Sequence, residues 1–422
     1  MTESVLINGA TIPVGPNNLR VMPDEQQSGL DPYMAQIITN RKSGLSLNHI
    51  IGCPLDCGYC VRHFWGNFEQ KIPQLLIPTE EAVEMLVGHE AFRPHSTPIQ
   101  LFNKATDPML PGVKPHTFAV LEELDRRGMT NLVLIITRFH VGKSDMERFE
   151  SLENVRVTLL FTYSGIADAR VEPIAKSQTT VKSIETAAAL SERTGVILYW
   201  RPITPGWNDS PETMAHVLDV ADKAGVDALV FTGYYHKEEN AEYLRGQGVE
   251  VPYQDDYQRR KVLPEELDAK VVAAWREHGT SVPLFRKTSC GVTYAHQLPD
   301  YNGHWGVPEL CDICPAKQRK LCADNHHAPT EAEFRNVLAE LEYDPEVPFL
   351  VEEGHVLTHA LGEQRRYAIQ HTLGYQVWEV DHPHVHRAHG RTLTGYELSE
   401  DEQRQLDEAR ERLYAAARHE DD

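Results

Sequence analysis

The sequence predicts an α/β fold built on parallel strands, and two observations carry that reading. Six short apolar runs rich in β-branched residues alternate with amphipathic helical stretches from about residue 40 to 240. Each run is nearly continuous in hydrophobicity, as a strand covered on both faces must be. Strand–helix repetition of this kind gives right-handed crossovers and a curved α/β sheet or barrel.

The elements follow in order. LNHIIGC (47–53) is the first strand and PIQLFN (98–103) the second, followed by the helix KPHTFAVLEELDRRGM (114–129). NLVLIITR (131–138) is the third strand, GKSDMERFESL (142–152) its helix, and VRVTLLFTYS (155–164) the fourth strand. TVKSIETAAALSERTG (180–195) leads to the fifth strand, VILYWRPI (196–203). SPETMAHVLDVADKAG (210–225) leads to the sixth, DALVFTGYY (227–235), with Ser210 as the expected N-cap and Gly225 as the C-cap. Further on come a helix over 263–279, a strand over 282–288, and a segment rich in Gly, Pro, Asp and Asn. From 329 a smaller α+β segment begins, in which LGEQRRYAIQHTLGYQVWEV reads as a helix running into a strand. The expected organisation is an N-terminal extension (1–39), the strand–helix domain (40–240), a cysteine-bearing region (241–328) and the α+β segment (329–422).

Composition narrows the class. Of 422 residues, 41% are hydrophobic and 24% charged, ordinary for a soluble globular protein. No run approaches the ~18 apolar residues of a membrane span. The N-terminus has no basic stretch followed by an apolar one, so the cytoplasm is the expected location. A net charge of −21 argues against nucleic acid as the main ligand, because such proteins carry a basic face.

Seven cysteines fall in two groups. Cys53, Cys57 and Cys60 lie in GCPLDCGYC (52–60), spaced C-x3-C-x2-C. Cys290, Cys311, Cys314 and Cys322 lie within 33 positions, spaced C-x20-C-x2-C-x7-C. A disulfide framework does not suit a cytosolic chain of this size, so two thiolate groups holding metal are expected. Three thiolates do not close a zinc site, which takes four ligands; His63 is available as a fourth. Three thiolates on a [4Fe–4S] cluster leave one iron open to a small molecule.

The C-x3-C-x2-C motif, with Tyr59 before its last cysteine and the first strand of an α/β repeat before it, resembles the radical S-adenosylmethionine (radical SAM) superfamily. The resemblance implies a partial (βα)6 TIM-like barrel in which the three cysteines hold a [4Fe–4S] cluster. It implies an open iron that chelates the amino and carboxylate groups of S-adenosylmethionine (SAM). Reductive cleavage then gives a 5′-deoxyadenosyl radical that abstracts hydrogen from a substrate. Other positions carry over from the same resemblance. FNKATDPML (102–110) stands where the family contacts the SAM amino group, but lacks the family's two glycines and glutamate. Asn103, Lys104, Thr106 and Asp107 are its polar candidates. Ser164, in TYSG (162–165) at the end of the fourth strand, is expected on the SAM ribose or carboxylate, and Arg201 as a clamp on the carboxylate. PITPGWND (202–209) is weakly similar to spore-photolyase-type members. Tyr163, Tyr199, Tyr234, Tyr235 and His236 fall at strand ends, where such folds place their pockets.

In that setting the second cysteine group reads as an auxiliary [4Fe–4S] cluster rather than zinc. Cys290 is its fourth ligand or a free thiol that gives hydrogen to a substrate radical. DHPHVHRAH (381–389) carries four histidines, more simply a solvated stretch than a metal site. The resulting expectation is a two-cluster radical SAM enzyme, an oxidoreductase or epimerase. It would act on a small polar natural-product intermediate of sugar or aminocyclitol type, with a flavodoxin or ferredoxin as electron donor and no membrane partner. The alternatives are a spore-photolyase-like nucleic-acid enzyme, a peptide-modifying radical SAM enzyme and a zinc-stapled module.

Overall fold

The computed structural model describes residues 4–13, 19–102, 104–173, 178–253, 260–380 and 400–419. DHPHVHRAH lies outside these, as does Asn103. The core is one sheet of nine strands. In chain order these are β1 (Ile38–Arg41), β2 (Gly44–Leu47), β3 (Ile99–Leu101), β4 (Leu132–Thr137), β5 (Arg156–Thr162), β6 (Gly195–Ile203), β7 (Ala228–His236), β8 (Arg260–Val262) and β9 (Leu284–Phe285). Strands β2 to β7 are six parallel neighbours laid side by side in chain order. β1 is antiparallel on one edge and β8 on the other, and β9 pairs parallel with β7. Among the described residues the two edges do not pair, so the sheet is open.

The first strand departs from its sequence reading. It ends at Leu47, and Ile50–Ile51 instead forms a separate antiparallel ladder with Gln74–Leu75. The cause is Asn48, whose amide donates to the Ser46 carbonyl and hydroxyl at 3.0 Å each. A side chain that bonds the neighbouring backbone this way competes with the strand ladder and turns the chain out of it. The other five strands stand where the apolar runs place them.

Helices cover one face of the sheet: α1 (Thr79–Val87), α2 (Lys114–Arg126), α3 (Lys143–Glu150), α4 (Gln178–Leu190) and α5 (Pro211–Ala224). Their apolar stripes (Phe118, Phe149, Ile184, Met214) join Val133, Leu159, Leu198 and Phe231 of the strands in one core. α5 is capped as the sequence suggests. Ser210 Oγ accepts from Thr213 N at 3.2 Å, and Gly225 ends the helix at φ 71°.

The opposite face is covered differently. Leu134, Leu160, Ile197, Tyr199 and Val230 form a second apolar cluster with Phe285 and Val292. It is covered by α6 (Thr288–Ala295), the helix that carries Cys290. α6 follows a strand shorter than the expected 282–288, and with Pro308–Cys311 and α7 (Ala316–Asp324) it supplies helices to a region without legible periodicity. At 8, 4 and 9 residues these helices are too short for a 3.6-residue pattern to register. At the C-terminal side α8 (Glu363–Leu373) runs into the strand Gln376–Glu379, as expected, and packs on β1. No helix among the described residues is long and apolar enough to cross a membrane.

Gly291 sets how closely α6 sits on the sheet, since a Cβ there would fall 2.4 Å from Val230 Cγ2. Gly291→Ala should therefore destabilise the fold by about 1–3 kcal/mol. Thermal unfolding of the single variant and of Gly291→Ala/Val230→Ala checks this, with the second change expected to recover most of the loss.

Candidate metal and cofactor sites

The first cysteine group sits on a loop between Ile51 and the short helical turn Val61–Trp65. Gly52 enters the loop at φ 107°, and a Cβ there would meet the Ile72 carbonyl at 2.4 Å. Backbone bonds then fix the loop at intervals: Gly52 N to Ala105 O (3.2 Å), Cys53 N to Gln70 O (2.9 Å) and Gly58 N to Val171 O (2.8 Å). Arg62, only 2% exposed, clamps it from beneath, donating to Leu55 O (2.9 Å), Phe68 O (3.2 Å) and Gln70 O (3.3 Å). Cys53 and Cys57 are buried and Cys60 is half-buried; all seven cysteines are free thiols.

Burial pushes the Cys53 and Cys57 thiols up to about 11, while the Arg62 charge next to Cys53 and the Arg138 charge next to Cys57 pull the other way. The donors thus suit a metal: thiols kept protonated without it, beside two fixed cations that offset thiolate charge once it binds. His63 stacks on Phe68 at 3.7 Å between ring centroids, and burial lowers it to about 4.

Behind the loop lies a buried ionic network. Arg138, just past β4, is paired with Glu172, both nearly inaccessible to solvent. Its guanidinium also donates to Tyr59 Oη at 2.5 Å, and its backbone N donates to Asp107 Oδ2 at 2.9 Å. Glu172 accepts from the Ser164 hydroxyl. Asp107 accepts further from Thr137 Oγ1 (2.6 Å) and Met109 N (2.9 Å). One arginine therefore gathers Tyr59, Asp107 and Ser164, three of the residues singled out in the sequence. Arg138 and Glu172 themselves were not singled out. Only the position of Arg138 at the end of NLVLIITR hinted at a pocket role.

The remaining candidates divide. Lys104 is buried and donates to the carbonyls of Tyr33 (2.5 Å) and Gln36 (2.7 Å), so its ammonium is committed within the protein. Thr106 Oγ1 is buried without a hydrogen-bond partner. Arg201 is half-buried, and its guanidinium lies 4.1 Å from the centre of the Tyr199 ring. No hydrogen bond or ion pair is found for Arg201 among the described residues. Asn208 of PITPGWND is structural: it bridges Ser164 O (2.6 Å), Pro202 O (2.8 Å) and Thr204 N (2.9 Å). Tyr163 Oη bonds His216 Nε2 at 2.9 Å, and Tyr234 Oη donates to Asn240 at 2.8 Å. The Tyr235 ring packs against Phe64, and His236 is fully buried.

The second group is brought together from further apart. Cys290 on α6, Cys311, Cys314, and Cys322 on α7 line one cavity of about 320 Å3 including its open mouth. Asp300 and His304 line the same cavity. Cys322 Sγ receives two N–H donors, Asp300 N and Gln318 Nε2, each at 3.5 Å. Burial pushes the Cys322 thiol up, and these two donors pull against it. Sequence reading missed Asp300 and His304; the only signal was a histidine seven positions before Cys311.

Arg201 and the start of the helix that carries Cys290 both meet Tyr199 of β6. Tyr199 and Arg201 are two residues apart on β6 and point the same way. Tyr199 Oη bonds Thr288 Oγ1 at 2.9 Å, at the start of the helix that carries Cys290.

Neither a protein-family model nor a curated protein matches the sequence. Solved structures do. A spore photoproduct lyase mutant is 12% identical over 58% of this chain and 75% of its own, with a TM-score of 0.42. SuiB of Streptococcus suis bound to S-adenosylmethionine is 11% identical over 62% of this chain and 54% of its own, with a TM-score of 0.40. TYW1 with a lysine-pyruvate adduct bound is 13% identical over 58% of this chain and 78% of its own, with a TM-score of 0.37. Likenesses this distant decide nothing about chemistry.

Two outcomes are expected. Glu172→Gln leaves Arg138 charged and unpaired in the interior, and should cost about 3–5 kcal/mol in denaturant unfolding. Cys53 and Cys57, with thiols near 11, are protonated at neutral pH and must lose those protons to a metal. Iron and sulfide loading should therefore release protons and strengthen with rising pH, more complete at pH 8.5 than at pH 7.0 in anaerobic titration.

Proposed function

We propose that this protein is a radical SAM enzyme. The observation that carries the reading is the first cysteine loop: three thiols and no fourth on one braced loop, between the cations of Arg62 and Arg138, at the C-terminal ends of parallel strands. Strand carboxyl ends are where α/β sheets place their ligands. Cys53, Cys57 and Cys60 would hold a [4Fe–4S] cluster. Bound there with SAM, it would supply a 5′-deoxyadenosyl radical that takes hydrogen from the substrate.

The chain's own residues take supporting roles. Arg138 and Arg62 balance the negative charge of the thiolates. Arg201, with its guanidinium edge unspoken for, would clamp the SAM carboxylate by a bidentate pair. Thr106 offers a hydroxyl with no internal partner. Ser164, already bonded to Glu172, positions that carboxylate rather than reaching the cofactor itself.

Cys311, Cys314 and Cys322 would hold a second iron–sulfur centre, with Cys290 on its edge. The link through Tyr199 and Thr288 joins this region to the strand-end pocket. A second centre so placed suits removal of an electron from a substrate radical, or return of a hydrogen atom from Cys290. The pocket face carries Gln100, Thr162, Arg201 and Thr232, which supports a polar substrate of sugar or aminocyclitol type. We further propose the division into an N-terminal extension, the strand–helix domain, a second-centre region and a C-terminal α+β segment. A flavodoxin or ferredoxin would be the one-electron donor and the cytoplasm the setting.

Anaerobically purified protein should carry about eight irons per chain if both centres are [4Fe–4S]. Reduced with dithionite and given SAM, it should form 5′-deoxyadenosine, and Cys57→Ala should abolish this. Iron-loaded protein that forms none would sink the proposal. The nucleic-acid alternative predicts a salt-sensitive shift of duplex DNA; with a net charge of −21 we expect none even at low salt.

A further inference from the structure

The cavity of the second cysteine group holds six side chains able to bind metal, Cys290, Asp300, His304, Cys311, Cys314 and Cys322, for four ligand positions. We propose that His304 is the fourth protein ligand of the centre on Cys311, Cys314 and Cys322, and that Cys290 stays outside the ligand set. This rests on the reading that the second cysteine group holds a metal centre.

His304 is 2% exposed. Its Nδ1 lies 2.7 Å from Asp300 Oδ2, which also accepts from His304 N at 2.9 Å. A neutral imidazole carries one proton, and the carboxylate holds it on Nδ1. Nε2 is then a bare lone pair. It is buried, has no hydrogen-bond partner, and belongs to a side chain that lines the cysteine cavity. A lone pair left unpaired in the interior is costly unless something fills it. A carboxylate on one ring nitrogen with a metal on the other is the standard support of a histidine ligand.

Connectivity separates His304 from Cys290. His304 and the three knuckle cysteines form one continuous run, H-x6-C-x2-C-x7-C. The turn before it is joined to two of these thiols: Asp300 N donates to Cys322 Sγ at 3.5 Å, and Cys311 Sγ lies 3.9 Å from the His304 carbonyl. Cys290 arrives on a separate helix, anchored on the sheet by Gly291 and by the Thr288–Tyr199 bond. Cys290, Asp300 and His304 still bring their donor atoms within 4.8 Å of one another. On this proposal Cys290 stands beside the centre as a free thiol.

The test uses the full chain with Cys53, Cys57 and Cys60 all changed to Ala, so that metal binds only at the second site. It is loaded with iron and sulfide, reduced, and read by pulsed EPR. We expect a directly bound imidazole nitrogen, seen as a 14N coupling that converts to 15N when the protein is grown on 15N-histidine. That labelling requires no change at His304 and is independent of folding defects. His304→Ala should lose the coupling and most of the iron, while Cys290→Ser should keep both. Iron bound without the coupling, iron lost in Cys290→Ser but kept in His304→Ala, or no iron held at all would each overturn the inference. Its failure is separable from that of the radical SAM reading, which the unmodified chain tests through 5′-deoxyadenosine formation.

Discussion

The buried pairing of Arg138 with Glu172 is the constraint on which the first site depends. A guanidinium this deep is tolerable only when its charge and its donors are all answered. The answers come from different parts of the chain: Tyr59 from the cysteine loop, Asp107 through the Arg138 backbone, and Glu172 from beyond the fourth parallel strand. Satisfying one cation therefore fixes three strand ends and the metal loop relative to one another. The same cation lowers the cost of placing thiolates beside them.

The sheet is packed on both faces, in two different ways. Five helices seal one face in the ordinary way. The other is divided along the strands. Its lower part is apolar and takes α6, while its upper part turns polar at Thr162, Arg201 and Thr232. α6 is thus at once a core helix and part of the lining of the second cysteine cavity. Tyr199 lies on that boundary, stacked under Arg201 above and bonded to Thr288 below.

Legibility in the sequence tracked distance along the chain. The three close cysteines were visible because their spacing is local, and five of six parallel strands because burial on both faces leaves a continuous apolar run. The first strand was placed at 47–53 instead of Gly44–Leu47 because IIGC is apolar, and hydropathy cannot register that Asn48 bonds back to Ser46. The partnership of Arg138 and Glu172, 34 positions apart, left no local trace. The helices around the second group were hidden by their brevity, and His304 by the absence of any motif joining it to Asp300.

Residue chemistry and short-range spacing alone settle that the chain carries two groups of cysteines and a strand–helix repeat, because side-chain identity and periodicity are properties of neighbouring residues. Which buried cation lies beside the first group, and which histidine lines the cavity of the second, are decided only by tertiary packing. Those relations exist between segments far apart in sequence, held together by burial of charge and by the close approach of α6 to β7.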